Sequence, residues 1–264
     1  MSPVTQRHRV DKLGPSVTDE VADRERAFWD AHASSLNDCL RSYEQGPDPN
    51  TEMMLDAIGP LSGKRVLDFA CGAGVTSAWL AASGADVVAL DLSEASIECG
   101  RQLMQRLGLH VEFVAGELQP TTFEPESFDA VVGRYALHHT DLEQLAPILR
   151  ALLAPGGRGA FVETMALNPV LNFARKRLSG RVGVAKYGSD DEHPLTRADL
   201  DVLGSIGNVE LDVAQLRFLR ILDRNVMRYR SPLLSKACAA IDDALQRCGL
   251  GRLSYHQIVS FSKS

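Results

Sequence analysis

The sequence predicts an α/β protein built on a doubly wound, mostly parallel sheet. Three observations lead there. Short apolar runs alternate with segments of helical period from about residue 65 to residue 163. The runs are continuous rather than alternating polar and apolar, as in strands covered on both faces. The first of them opens into the glycine-punctuated stretch VLDFACGAG, residues 66–74, at the place where such sheets turn from first strand to first helix.

The elements follow in order. Residues 1–18 are polar and are expected to be a flexible tail. From Asp19 to Tyr43, Val21, Phe28, Ala31 and Leu36 recur at near-helical spacing and predict one helix. EQGPDPN breaks it, and Thr51 is placed to cap a second helix, EMMLDAIGPL, which completes a helical cap over 19–62. RVLDF, DVVALD, HVEFVAG and FDAVVGRY are strands one to four, and APGGRGAFVE turns into strand five. Helices fill Val75 to Ser83, Glu94 to Leu107 with Ser93 as cap, and Leu142 to Leu153. The pattern falters over about 164–195, which reads as a lid-like insertion at the edge of the 63–264 domain. TRADLDVLGSIG with Thr196 as cap is then a helix, NVELDVAQLRFL a strand, Pro232 to Cys248 a helix and SYHQIVSFSKS the last strand.

Composition narrows the function. At 264 residues, 45% hydrophobic and 23% charged, the chain can bury a full core. A net charge of -6 with no long basic stretch argues against nucleic acid as the main partner. Five scattered cysteines without a CxxC pair fit a reducing compartment and small apolar packing roles, and no apolar run reaches membrane-span length. The expectation is a cytoplasmic protein with a small-molecule partner, neither on a membrane nor bound to nucleic acid, and compatible with a homodimer.

Gly72 and Gly74 let backbone approach a ligand, although a glycine turn also serves merely to pack a strand on its helix. Asp91, nineteen residues after Gly72, closes strand two where a carboxylate can accept hydrogen bonds from both hydroxyls of a ribose. Its alternative role is helix capping, for which Ser93 is better placed. A dinucleotide fingerprint would have a third glycine where Ser77 stands and would lack the acid Asp68 ahead of the turn.

With Asp68, Gly72, Gly74 and Asp91 in place, the stretch resembles the class I S-adenosylmethionine-dependent methyltransferases, whose first motif is hydrophobic-hydrophobic-D-x-x-C-G-x-G. VVALDLS, VAGELQPTTFEPESFDAVVGRYALHH and LLAPGGRGAFVE continue the likeness in order, over about Asp56 to Glu163. The resemblance implies a seven-stranded sheet of order 3-2-1-4-5-7-6 with strand seven antiparallel, and S-adenosylmethionine as cofactor. Ala70, Gly72 and Gly74 would approach its methionine part, Asp91 would hold the ribose and Leu92 would line the adenine. The adenine amino group would meet Glu117, which follows Gly116, or the Leu118 amide. Arg134 falls where the family places a contact to the methionine carboxylate, and Tyr43 of the helical cap would close near that carboxylate.

Methyl transfer requires alignment of nucleophile and methyl group, and for a hydroxyl or protonated amine also a base with a pKa near neutrality. His138 and His139, just past strand four, are the candidates, with His138 where plant-type O-methyltransferases carry a base. Base and structural roles for His138 remain open, and His139 reads as structural. Asp190 to Leu195 (DDEHPL) is a metal cluster, a solvated loop or a lid edge with His193 facing in, the last being preferred; no metal is expected. The function expected is methyl transfer to a small molecule, plausibly in secondary metabolism. The alternative is a cofactor-binding enzyme of the same fold that catalyses a non-methylating reaction such as cyclisation.

Overall fold

A computed structural model of the chain describes residues 17–170, 172–173, 193–223, 227 and 230–264, with the side chains of 17–22 and 222 outside the description. Most of the expected tail and of the insertion thus lies outside the described residues, although helix already begins at Val17. The strands are β1 Arg65–Phe69, β2 Asp86–Asp91, β3 Glu112–Ala115, β4 Phe128–Arg134, β5 Leu153–Thr164, β6 Gly207–Asp212 and β7 His256–Lys263. They form one sheet of order β3-β2-β1-β4-β5-β7-β6. β1 pairs in parallel with both β2 and β4, and β7 runs antiparallel to β5 and β6. The order expected from the family resemblance is therefore the one observed. Strand order reverses at β1, so the crevice between the ends of β1 and β4 is the place where such sheets bind ligands.

The helices are α1 Val17–Ala31, α2 Leu36–Gln45, α3 Pro49–Ile58, α4 Val75–Ala82, α5 Glu94–Leu107, α6 Leu142–Leu152, α7 Arg197–Leu203, α8 Leu219–Leu222 and α9 Pro232–Arg247. One face of the sheet packs Leu67, Phe69, Val131 and Phe161 against α6 and α7. The other packs Val66, Val132, Val162 and Ile258 against Met54 and Ile58 of α3 and Leu80 of α4. α2 extends the second layer through Cys39, which meets Cys99 of α5 in a small cluster of its own. All five cysteines are free, and Cys248 is exposed rather than packed as expected.

The structure corrects the helical cap. The single helix expected from Asp19 to Tyr43 is two, because Ser35 takes an extended conformation and its side chain accepts the Asp38 amide. Such a local bond competes with continued helix, and the apolar spacing runs across the break without revealing it. α3 is capped by Asp48 rather than Thr51: Asp48 accepts the Asn50 amide, Pro49 takes the first helical position, and Thr51 donates its hydroxyl to Asp48. Ser93 and Thr196 cap α5 and α7 as expected.

The strand expected over NVELDVAQLRFL stops at Asp212. Side chains of α9 take over the backbone beyond it. Gln246 accepts the Leu216 amide at 2.8 Å, and the buried Asp242 accepts the amides of Phe218, Leu219 and Arg220. These bonds fix α8 and replace the sheet ladder there.

Candidate active site

The turn after β1 is built from left-handed backbone. Ala70 has φ 54°, Gly72 54° and Gly74 70°. A non-glycine residue held there costs on the order of 1–3 kcal/mol and persists where its surroundings enforce it. The two motif glycines do different work. A Cβ on Gly72 would meet nothing within 4 Å, so the turn faces open space at that point. A Cβ on Gly74 would lie 3.0 Å from the Phe113 ring of β3, so Gly74 admits a side chain of the protein rather than a ligand.

Asp91 ends β2 at 9% exposure. Its Oδ2 accepts the Gly72 amide at 2.7 Å and its Oδ1 accepts the Ser93 amide at 2.9 Å. Burial raises its pKa despite these bonds. Helix capping belongs to Ser93, whose Oγ accepts the Ser96 amide at 3.0 Å. A carboxylate offers about four lone-pair sites, more than these backbone amides take. Gly116 donates its amide to the Asp91 carbonyl, and a Cβ there would also meet open space. Leu92 is half-buried, Glu117 is exposed and accepts a bond from Gln119, and Leu118 is buried in the core. Asp91, Gly72 and Gly116 thus frame one opening across the ends of β1, β2 and β3.

Asp68 lies beneath the turn, 1% exposed, and accepts the Ser77 hydroxyl of α4 at 2.6 Å. Burial pushes its pKa up to about 7, against the opposing pull of Ser77 and the Arg134 charge. Arg134 ends β4 and donates to Asp48 at 2.9 Å, so the cap of α3 shares the charge expected to meet a carboxylate. Tyr43 is half-buried in the α2, α4 and α5 cluster, which Ala73 and Val75 also touch, and so sits behind the glycine turn.

Past β4, Leu137–His139 forms a single 3-10 turn. Glu163 of β5, fully buried, organises it. Its Oε1 accepts the amides of Ala136 and Leu137 at 2.8 and 2.7 Å, and its Oε2 lies 2.7 Å from Nδ1 of His138. An ionised Glu163 requires the proton on Nδ1, which assigns Nε2 of His138 as a proton acceptor. A histidine so oriented by a carboxylate has the arrangement of an active-site base. Sequence reasoning missed Glu163; the one signal was an acid closing the otherwise apolar run GAFVE, where burial demands a partner.

His139 stacks at a tilt 4.3 Å from His138 and meets Trp29 of α1 edge-on at 5.6 Å. Burial, with the neighbouring His138 charge, lowers its pKa to about 4. Its 3.6 Å approach to Glu25 is therefore a contact of a neutral ring at pH 7 and not an ion pair. His193 donates its amide to the His138 carbonyl at 3.3 Å and is exposed. Asp190, Asp191 and Glu192 lie outside the described residues, among which no three His, Cys, Asp or Glu side chains gather as a metal site. Among the described residues, no helix is long and apolar enough to cross a membrane.

Residues 66–157 match the family model described as "Methyltransferase domain". Over those residues the chain is similar to methyltransferase domains, as the motifs around Gly72 and Asp91 implied. Its relatives include a demethylmenaquinone methyltransferase of Clavibacter sepedonicus, 43% identical over 104 residues, which are 39% of this chain and 42% of that protein. A ubiquinone biosynthesis O-methyltransferase of Bordetella parapertussis is 36% identical over 117 residues, 43% of this chain and 48% of the other. The match thus spans less than half the length of either curated relative. Among solved structures, geranyl diphosphate C-methyltransferase from Streptomyces coelicolor A3(2) superposes with a TM-score of 0.62 at 14% identity, over 95% of this chain and 100% of that one. At that identity the likeness shows the fold alone.

Proposed function

We propose that the chain is an S-adenosylmethionine-dependent methyltransferase acting on a small molecule. The observation that carries it is the Asp91 carboxylate, which spans the Gly72 and Ser93 amides beside a glycine turn that is open at Gly72. Those residues fit a ribose, with the adenine between Leu92 and the Gly116–Leu118 segment. The methionine part would extend past Ala70 toward Arg134, and Tyr43 would support the turn from behind. When bound, the cofactor supplies an electrophilic methyl group.

The chain supplies position and a proton acceptor. Nε2 of His138 takes the acceptor's proton, Nδ1 keeps its proton on Glu163, and the imidazolium that forms is stabilised by that buried carboxylate. His139, neutral and packed under Trp29, holds the 3-10 turn against α1. One relative is named for demethylmenaquinone and the other for O-methylation in ubiquinone biosynthesis, which supports a quinone-related ring as the acceptor. A role in secondary metabolism is part of the proposal and is supported by the substrate-facing parts expected from the sequence, a helical cap and one irregular insertion.

The test is incubation with methyl-labelled S-adenosylmethionine and a panel of small phenols and quinols, followed by mass spectrometry. Labelled product from the parent, reduced roughly 10²–10⁴-fold in His138→Ala with loss of the acidic limb of the pH–rate profile, is the expected result. Binding of a nicotinamide dinucleotide in place of S-adenosylmethionine would refute the proposal.

A further inference from the structure

A second polar site lies on the α3 side of the sheet, beyond the end of β4, and rests on the function proposed above. Asn50, in the first turn of α3, is 1% exposed, yet neither its Oδ1 nor its Nδ2 has a hydrogen-bond partner. Burying an amide unpaired is costly, so such a group calls for an explanation. Helical spacing gives its direction. Asn50, Met54 and Ile58 are four apart, and the latter two pack on Val132, Val162 and Ile258 of the sheet. Asn50 therefore continues the sheet-facing stripe one turn further, toward the strand ends.

The groups at the adjoining end of β4 are unusual in the same way. Arg134 follows Val132 on the same face of β4, and its Nε is buried without a partner while its Nη2 bonds Asp48. Alternation would send Tyr135 to the opposite face. Its φ of 56° turns the ring back so that it packs against the α3-side cluster and meets His256 of β7 edge-on at 5.5 Å. A strained non-glycine backbone that re-aims an aromatic ring is an observed outlier of the kind that marks binding sites. These residues sit over β4, β5 and β7, about two strand spacings of 4.8 Å from the Asp91 end of the crevice. That is the acceptor's side.

We propose that Asn50 binds the methyl acceptor, with the Tyr135 ring as a wall and Arg134 marking the border with the cofactor's methionine end. A primary amide presents a donor and an acceptor side by side, as does an ortho-dihydroxy or hydroxy-carbonyl ring. The substrate class assigned is a planar ring bearing such a vicinal pair, engaged directly or through one water.

Catechol is the probe, with phenol as the control that lacks the second hydroxyl, both titrated by saturation-transfer NMR into protein preloaded with S-adenosylhomocysteine. Asn50→Leu has a similar branched shape without the amide. Its catechol affinity should fall roughly tenfold, while phenol and S-adenosylhomocysteine affinities stay within about twofold and the ligand-free melting temperature holds or rises, as removal of an unpaired buried amide allows. Asn50→Ala should lose catechol in the same way, which secures the test if the leucine does not pack. Equal catechol binding by variants and parent, no catechol binding by the parent, or a matching loss of S-adenosylhomocysteine affinity would overturn the assignment. If the parent fails to bind S-adenosylhomocysteine at all, the proposed function falls and this inference with it.

Discussion

Two buried carboxylates near the strand ends have opposite characters. Glu163 is compensated three times over, by two amides and the His138 ring. Glu163→Gln can keep the amide bonds but places an NH₂ donor against Nδ1, which drives His138 to the tautomer protonated at Nε2. Turnover should fall about 10²-fold or more, and nitrogen NMR of the ring should show the tautomer exchange even without substrate. A folded Gln variant with unchanged turnover would leave Glu163 a purely structural residue.

Asp68, by contrast, has one hydroxyl and a pKa of about 7, above its ordinary 3.8, because burial disfavours its charge. The stability its protonated form contributes is fully present below pH 3.8 and is lost as pH rises through about 7. Melting curves of Asp68→Asn should therefore lack a component of the parent's pH dependence, with a slope of at most about 1.4 kcal/mol per pH unit between those values. Equal slopes for the two proteins would mean that Asp68 is ionised throughout. Neither carboxylate's behaviour was legible in the sequence, since partner and burial both come from elements far along the chain.

At the scale of elements, what could be read was what a local pattern determines. DVVALD is a strand from Asp86 to Asp91 and Ser93 caps α5 because apolar run, acid and serine follow one another directly. The cap of α3 was misplaced because Asp48 and Thr51 both suit an N-terminus, and only the Arg134 contact shows how Asp48 is held. The end of β6 was missed because Asp242 and Gln246, some thirty residues on, intercept its backbone. The β6 start carries its own test. A Cβ on Gly207 would lie 1.8 Å from the Ser262 carbonyl oxygen of β7, backbone that cannot swing aside. Gly207→Ala should cost about 1–3 kcal/mol in chemical denaturation, with faster amide exchange confined first to β6 and the adjoining half of β7. Unchanged exchange there would show that the edge pair yields at no cost.

At the scale of the molecule, the division of labour follows from strand order. In the proposed function the β3-β2-β1 half would present Gly72, Asp91 and Gly116 to a nucleoside, Arg134 at the end of β4 would meet the methionine part, and Tyr135, His138 and the buried Asn50 would face the methyl acceptor. α1 ties the halves together, since Asp30 accepts the Ser93 hydroxyl at the head of α5 while Trp29 covers His139 beyond β4. The proposed nucleoside end was legible in the sequence because its glycines and acid close two successive strands. The other end was not, because its members come from α3, β4, β5 and β7.

The central claim is that Asp91 holds a ribose, and calorimetry of S-adenosylmethionine binding to the parent and to Asp91→Ala tests it most directly. The account predicts a folded variant whose binding is weaker by about 1.5–3 kcal/mol, the value of hydrogen bonds to a charged group. A folded variant that binds S-adenosylmethionine as tightly as the parent would contradict it.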